Sequence, residues 1–88
     1  MRKEVTVSEG DSLVLECYAS GAPRPIITWL KDQRTRIRSD RHVVLAESGQ
    51  LLVIAQVEEE DGGSYSCQAT NSQGNVKQTA NVLIETGM

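Results

Sequence analysis

The residues with the clearest capacity for specific chemistry are arginines in the middle of the chain. Arg34, Arg36 and Arg38 occupy alternate positions, so in an extended segment their side chains project on one side. A guanidinium group can fork two hydrogen bonds onto a sulfate, phosphate or carboxylate group. The sequence therefore predicts a contact surface for an anionic glycan such as heparan sulfate, or for an acidic protein patch. The residues assigned to this surface are Arg24, Lys31, Arg34, Arg36 and Arg38.

A structural interpretation of the same arginines is the more frequent case. Charged side chains on an edge strand keep it soluble and prevent it from pairing with another chain. Runs of charge are usually solvated faces of a protein. The segment from Lys31 to Arg41 has only Ile37 as an apolar residue, so it is predicted to be a loop or a weak edge strand.

The patterns that enzymes and metal sites require are missing. The sequence has no Gly-x-Ser-x-Gly elbow, phosphate-binding loop or paired acid arrangement, so we expect no catalytic activity and no cofactor. The acidic run from Glu58 to Asp61 lacks the alternating ligands and turn glycine of a calcium loop. It is predicted to be a solvated helical turn. His42 is the only histidine, and we expect it on a strand, exposed or partly buried.

Two cysteines, Cys17 and Cys67, are separated by 67 − 17 − 1 = 49 residues. Each falls on the apolar face of a predicted strand, which favours a disulfide buried between two sheets. A zinc site would need about four ligands, which one histidine and two cysteines do not supply. A disulfide closing a loop of this length is worth about 4 kcal/mol in the chain-entropy model, and it would indicate an oxidising compartment.

Length and composition limit the chain to one small domain. It has 88 residues, a net charge of −3, 39% hydrophobic residues and 3% aromatic residues without phenylalanine, so the core is expected to be aliphatic around Trp29. The overall charge does not indicate a nucleic-acid partner, and no apolar run is long enough to insert in a membrane. The charged opening is not a secretion signal. Residues 1–3 and 87–88 are interpreted as linker or expression-derived residues flanking a domain at 4–86.

Short stretches of alternating apolar residues recur along the whole chain, without an amphipathic helix between them. Such a pattern indicates an all-β protein built as an antiparallel sandwich of seven to eight strands. The clearest strand follows Asp61 and places Tyr65, Cys67 and Ala69 on one face. Ser20 to Pro25, with two prolines, ends an earlier strand. A hairpin tip is predicted at Gln73 to Asn75.

Four motifs together resemble the intermediate, or I-set, immunoglobulin domains. They are Gly21-x-Pro23-x-Pro25-x-Ile27-x-Trp29, Leu52-x-Ile54-x-x-Val57, Asp61-x-Gly63-x-Tyr65-x-Cys67 and Cys67-x-Ala69-x-Asn71-x-x-Gly74. The resemblance covers residues 4–86 and implies an immunoglobulin-like β-sandwich. It further implies that Trp29 packs on the Cys17–Cys67 bridge and that the Tyr65 hydroxyl bonds back to the preceding turn. Leu52 is expected in the core, and an ion pair between Arg41 and Asp61 is expected to close the bottom of the sandwich.

The resemblance implies a noncatalytic extracellular recognition module within a cell-surface adhesion molecule, receptor or matrix protein. Such a module presents a sheet face or its loops to a protein partner, homophilic or heterophilic, and is flanked by neighbouring domains. An intracellular cytoskeletal module is the main alternative: a mechanical spacer or filament contact in which the cysteines remain reduced as small core residues. In a third interpretation, the domain is an accessory part of a larger enzyme.

Overall fold

A computed structural model describes residues 3–87, which form eight strands and one 3₁₀ turn. Most strands have two to six residues, and the last two form a long hairpin. The strands are β1 (Glu4–Ser8), β2 (Leu13–Glu16), β3 (Ile26–Lys31), β4 (Thr35–Arg36), β5 (Val43–Ala46), β6 (Leu51–Ile54), β7 (Gly63–Asn71) and β8 (Gly74–Glu85), and the 3₁₀ turn is Glu59–Asp61. The predicted number of strands and the helical turn before β7 are confirmed.

The strands form two sheets that face each other. The five-stranded sheet has the order β1-β8-β7-β3-β4, and the three-stranded sheet has the order β2-β6-β5. All neighbouring strands are antiparallel except β1, which runs parallel to β8 with Glu4 opposite Asn81. Because the chain leaves β1 for the other sheet at β2, no hairpin fixes the direction of β1. The predicted sandwich is confirmed, with this one parallel pair.

The core lies between the sheets and is built from alternate residues of the central strands. Trp29 is 1% exposed, and its indole Nε1 donates a hydrogen bond of 2.7 Å to the carbonyl oxygen of Gly49. Gly49 has a φ of +89°, a left-handed conformation that favours glycine. The other buried hydrophobic residues include Leu13, Leu15, Leu52, Ile54, Val57, Tyr65 and Val82. The predicted aliphatic core around one tryptophan is confirmed.

Two element boundaries differ from the sequence prediction. β2 ends at Glu16 rather than continuing beyond Cys17, although the Cys17 amide still donates to the carbonyl oxygen of Gln50. The β7–β8 hairpin pairs Asn71 with Gly74, so its tip is Ser72 and Gln73 rather than residues 73–75. Gly74 begins β8 with a φ of +141°, a conformation that glycine tolerates because it has no Cβ.

Candidate functional site

The two cysteines form the predicted disulfide between the sheets. Cys17 follows β2 in the three-stranded sheet, and Cys67 lies in the middle of β7 in the five-stranded sheet. Both residues are buried, and Cys67 is directly opposite Trp29 in the register of β3 and β7. The bond therefore fixes the two outer faces relative to each other, so that any recognition surface rests on a rigid frame.

The corner before β7 is held by the hydroxyl of Tyr65. This hydroxyl donates a hydrogen bond of 2.6 Å to the carbonyl oxygen of Asp61, as the family resemblance implies. Burial is the main cause that raises the pKa of Tyr65 to about 12, and the charges of Asp61 and Asp32 raise it further. The phenol therefore remains a neutral donor at physiological pH, with a positional and not a chemical role.

The prediction of an ion pair between Arg41 and Asp61 is wrong, because Asp61 pairs with His42, the residue after Arg41. The Oδ2 atom of Asp61 lies 2.7 Å from Nε2 of His42, and the same atom accepts a 2.7 Å hydrogen bond from the amide of Glu58. Arg41 and His42 lie in the bend before β5, which turns His42 to Asp61, and Arg41 remains exposed.

His42, Glu58 and Asp61 bring three ligand atoms within 4.8 Å of one another, in an arrangement that could hold a metal ion. The Asp61 oxygen that would coordinate the ion already accepts hydrogen bonds from the other two residues. Glu58 is exposed, whereas Asp61 is only 7% exposed. The cluster thus meets its own hydrogen-bonding needs, and we assign it a structural role at the bottom of the sandwich.

The His42–Asp61 pair is expected to make stability depend on pH. The hydrogen bond to Asp61 is the main cause that raises the pKa of His42 above its usual value, and partial burial opposes it. A raised pKa means tighter proton binding in the folded protein, so the stabilisation is complete below the ordinary pKa of about 6.5. It is lost as the pH rises through the folded-state pKa. We expect the free energy of unfolding to fall by at most about 1 kcal/mol between about pH 6 and pH 8, since the pair is partly exposed.

The matched control for this prediction is His42→Gln, which can still donate to Asp61 but does not titrate. Urea denaturation of both proteins at a series of pH values measures the difference between them. The wild-type protein should lose stability relative to the variant as the pH rises. Curves that stay parallel across the range would show that the histidine proton does not stabilise the fold.

The arginine run lies at the edge of the five-stranded sheet. Arg36 in β4 is opposite Leu30 in β3, on the outer face of the sheet, while the next residue, Ile37, packs against the core. Arg34 lies in the turn before β4, and Arg38 follows Ile37 directly after it. All three arginines are exposed, and within residues 3–87 none of them has a salt-bridge partner. We call these three residues the arginine edge.

Backbone amides occupy the two carboxylates nearest to the arginine edge in sequence. Asp32 accepts a hydrogen bond of 3.1 Å from the amide of Ser64. Asp40 accepts bonds of 2.7 and 2.8 Å from the amides of His42 and Val43, and these bonds lower the pKa of Asp40. Both acids are held by the main chain, and among the described residues neither forms an ion pair with Arg34, Arg36 or Arg38.

The structure separates the other two predicted basic residues from the arginine edge. Lys31 is opposite Tyr65 in the strand register and faces the inner side of the sheet. Its Nζ atom donates to the carbonyl oxygen of Glu60 and lies 5.7 Å from the centre of the Tyr65 ring. Arg24 is exposed on the loop before β3, at the other end of that strand. The arginine edge is therefore a smaller cluster than the sequence predicts.

The outer face of the five-stranded sheet beside the arginine edge is polar and contains no acidic side chain in β3, β4 or β7. Ser66 is fully buried there and shares a hydrogen bond of 3.0 Å with Thr79 of β8. Lys77 adds a further positive charge, and its Nζ atom lies 3.2 Å from Oε1 of Gln33. Ile26, 73% exposed, lies at the upper end of the same face. Leu83 of β8, 64% exposed, is a second apolar side chain on this face. The face thus combines positive charge, neutral polar groups and two exposed apolar side chains.

Sequence reasoning missed a second surface, on the outer face of the three-stranded sheet. Val14, Val53 and Val44 lie side by side in the register of β2, β6 and β5. Val14 and Val44 are 49% and 47% exposed. The sequence contains a pattern that could have indicated this surface. All four residues of β6 are apolar, and Val14 and Val44 are apolar at positions where a solvent-facing residue is usually polar.

Comparison with known proteins assigns the family. The model of the immunoglobulin I-set domain matches residues 1–84. The chain is an I-set immunoglobulin domain. The I-set assignment and the immunoglobulin-like sandwich predicted from the sequence are thereby confirmed.

Curated relatives of this I-set domain are parts of much larger proteins. Vascular endothelial growth factor receptor 1 of Gallus gallus is 40% identical over 80 residues, covering 91% of this chain and 6% of that protein. Contactin-4 of Rattus norvegicus is 35% identical over 85 residues, covering 97% of this chain and 8% of that protein. The human probable oxidoreductase PXDNL is 34% identical over 83 residues, covering 94% of this chain and 6% of that protein. The chain therefore spans only 6 to 8% of the length of these relatives.

Solved structures similar to the domain include domains of titin and extracellular domains of Drosophila OTK. The titin domains z1z2 in complex with telethonin match with a TM-score of 0.89 and 32% identity, covering 97% of this chain and 44% of that one. Extracellular domains 3–5 of Drosophila OTK match with a TM-score of 0.84 and 34% identity, covering 93% of this chain and 28% of that one. Within residues 3–87, no helix has the length and apolar character needed to cross a bilayer.

Proposed function

We propose that this I-set domain is a noncatalytic recognition module of an extracellular receptor or adhesion protein, and that it binds a protein partner through the outer face of its five-stranded sheet. The observation that carries the proposal is the arginine edge, whose three guanidinium groups are exposed and have no internal acidic partner among the described residues. Arginine is enriched at protein interfaces because its guanidinium forms several directed hydrogen bonds. A rigid sheet held by a disulfide can present such groups at fixed spacing.

The extracellular setting is supported by two independent features. The Cys17–Cys67 disulfide is typical of proteins from oxidising compartments. Growth factor receptors, a contactin and the extracellular domains of OTK are all more than 30% identical to the chain. An isolated immunoglobulin fold does not by itself imply a function, so the surface carries the proposal and the relatives support its setting.

A sulfated glycan is the second candidate ligand, and the alternation of Arg34, Arg36 and Arg38 favours it. Arg36 lies in β4, with Arg34 in the turn before it and Arg38 just after it, so the three groups concentrate positive charge at this edge of the sheet. Each can bind a sulfate or carboxylate with paired hydrogen bonds. Affinity of this kind would fall steeply with ionic strength.

One binding experiment separates the two ligands. The domain, linked into a tetramer to increase avidity, is applied to cells and bound protein is measured by flow cytometry. We expect binding that falls at least about tenfold in the Arg34→Ala/Arg36→Ala/Arg38→Ala variant, because several contacts are lost in each copy. Arg24→Ala is the matched control, since it removes an exposed arginine away from the edge.

Enzyme treatment of the cells identifies the ligand class in the same experiment. Binding that survives heparinase and is lost after mild proteolysis of the cell surface supports the protein partner. Loss after heparinase alone supports heparan sulfate as the ligand. If the triple variant and the Arg24→Ala control bind as well as the original tetramer, the arginine edge is not the recognition surface.

The intracellular and enzyme-associated alternatives concern the parent protein rather than this surface. The titin match is as close in fold as the extracellular match, and PXDNL shows that such a domain occurs in a protein named as an oxidoreductase. Mass spectrometry of the natively expressed protein, with and without reductant, distinguishes the compartments. A mass increase of about 2 Da on reduction supports an oxidised bridge and the extracellular setting, whereas free thiols in the native protein support the intracellular one.

A further inference from the structure

The valine row on the three-stranded sheet is an unusual solvent-facing surface. Val14, Val53 and Val44 are paired directly across three strands, so their side chains form a continuous stripe over the width of the sheet. The next row of the same outer face contains Leu51 and Ala46, which are partly buried. Antiparallel sheets of this kind usually place polar residues on the face turned to water.

The same face has a negatively charged upper rim around an exposed tyrosine. Glu16 shares the outer face with Tyr18, two residues further along, and Tyr18 is 64% exposed. The charge of Glu16 is the main cause that raises the pKa of Tyr18, and the charge of Glu47 also raises it. Both carboxylates therefore lie near the tyrosine hydroxyl. Exposed tyrosine next to aliphatic side chains is a composition typical of protein contact surfaces.

The two outer faces of the sandwich carry opposite charge. The arginine edge and Lys77 lie on the outer side of the five-stranded sheet, away from Glu4 and Glu85 at its β1–β8 side. Glu16 and Glu47 lie at one end of the valine row on the other sheet. Two copies meeting through their valine rows with their strands parallel would bring the same carboxylates together, and like charges oppose that contact. A copy that instead turns its arginine edge toward the valine row would bring opposite charges together.

We propose that a second copy of this chain covers the valine row, with the arginine-edge face of one copy packed on the valine-row face of the next. The contact is heterologous, so a pair of copies still has one free face of each kind and the association does not close at a dimer. The inference rests on the proposed function only in that both use the arginine edge. Partners held on opposing surfaces through such contacts would form a homophilic junction.

The size of the valine-row face predicts weak association. Three strands about 4.8 Å apart and four residues long, with a rise of about 3.4 Å per residue, give a face of about 200 Å² in projection. A standard interface buries about 800 Å² on each partner. We therefore expect the isolated domain to be monomeric when dilute and to associate only at high concentration. In an array of copies, avidity would raise the overall affinity.

Sedimentation equilibrium of the purified domain, in a concentration series reaching about 1 mM, tests the proposal. The Arg34→Glu/Arg36→Glu variant reverses one face, and the Glu16→Arg/Glu47→Arg variant reverses the other. Each variant alone should associate at least about tenfold more weakly than the wild-type domain, because like charges then meet in every contact. An equimolar mixture of the two should recover the association, since every mixed contact again joins opposite charges. The wild-type association should weaken with added salt.

A substitution in the valine row tests the apolar part of the contact. Val44→Arg should reduce association at least about tenfold, whereas Val76→Arg, which adds positive charge beside Lys77, should not reduce it. Val76 is also an exposed strand valine, 61% exposed, but it lies in β8 near the hairpin tip, away from the valine row. Circular dichroism and thermal unfolding confirm that all variants remain folded.

Several results would overturn the proposal. They are a wild-type mass that stays monomeric throughout, a mass that stops at a dimer, or a mixture of the two charge variants that remains monomeric. The measurement uses no cells and no added ligand, so it can succeed or fail independently of the tetramer experiment. Cell binding without self-association would support the recognition function and exclude this contact. Self-association without cell binding would support this contact and argue against the recognition function.

Discussion

Replacing both cysteines by alanine, Cys17→Ala/Cys67→Ala, is expected to lower the free energy of unfolding by about 4 kcal/mol. The bridge closes a loop with a sequence separation of 50 residues, and in the chain-entropy model such a loop greatly restricts the unfolded chain. A domain of this size has a total stability of about 4 to 13 kcal/mol at typical values per residue. The loss is therefore a third or more of what holds the fold together.

Guanidinium denaturation followed by fluorescence of Trp29 measures this change, because the indole is buried opposite Cys67 and becomes exposed on unfolding. The wild-type protein with its disulfide reduced is the matched control, since it retains both sulfur atoms in the core. Reduced wild type and the double variant should unfold at similar denaturant concentrations, well below the oxidised protein. If the oxidised and reduced proteins had equal stability, the cross-link would not be what stabilises the sandwich.

The fold could be predicted because its strongest signals are local and repeat along the chain. Alternation of Leu13 with Leu15, and of Tyr65 with Cys67, specifies which side of each strand faces the core. The two cysteines then join the two inner faces. Spacing of two residues is a property of the strand itself, so these inferences need no knowledge of which strands become neighbours.

The errors at the bottom of the sandwich arose where two segments must meet in space. Arg41 and His42 are adjacent, and alternation alone does not state which of them faces Asp61. The structure shows that Asp40 accepts hydrogen bonds from the amides of His42 and Val43, which fixes the turn before β5. That turn directs the histidine to Asp61. The course of a turn does not follow strand periodicity, so this prediction depended on a detail that the alternation of residues does not contain.

The candidate surfaces show the same division between local and long-range information. The alternation of the arginines is local, and the grouping of Arg34, Arg36 and Arg38 as a contact surface remains a prediction. Lys31 was grouped with them by sequence distance, but it belongs to the inner side of β3, beside Tyr65. The valine row was missed because its three members come from three strands, and only the sheet register makes them neighbours.

Disulfide and tryptophan stabilise the sandwich by different means. The cross-link acts on the unfolded chain, whereas Trp29 acts in the folded protein by filling the space between the sheets. Only three aromatic residues are present, and Tyr18 is exposed. The chain therefore has few bulky groups that could fill a cavity left in the core.

Trp29→Ala is accordingly expected to lower the free energy of unfolding by about 3 to 5 kcal/mol, the range for removing a buried large aromatic side chain. The indole is 1% exposed and lies among Cys17, Leu52 and Tyr65 in the core. Its loss also leaves the carbonyl oxygen of Gly49 without the 2.7 Å hydrogen bond from Nε1. Urea denaturation followed by far-ultraviolet circular dichroism measures the change without relying on the tryptophan signal.

Two further variants separate the volume of the indole from its hydrogen bond. Trp29→Phe keeps most of the ring volume but removes the donor to Gly49, so its cost should be smaller, about 1 to 3 kcal/mol. Ile26→Ala, on the same strand but 73% exposed, should change stability by less than about 0.5 kcal/mol. If the phenylalanine variant were as unstable as the alanine variant, the hydrogen bond to the 47–50 turn would dominate over packing. Stability that is unchanged in both variants would mean that the core does not depend on this residue.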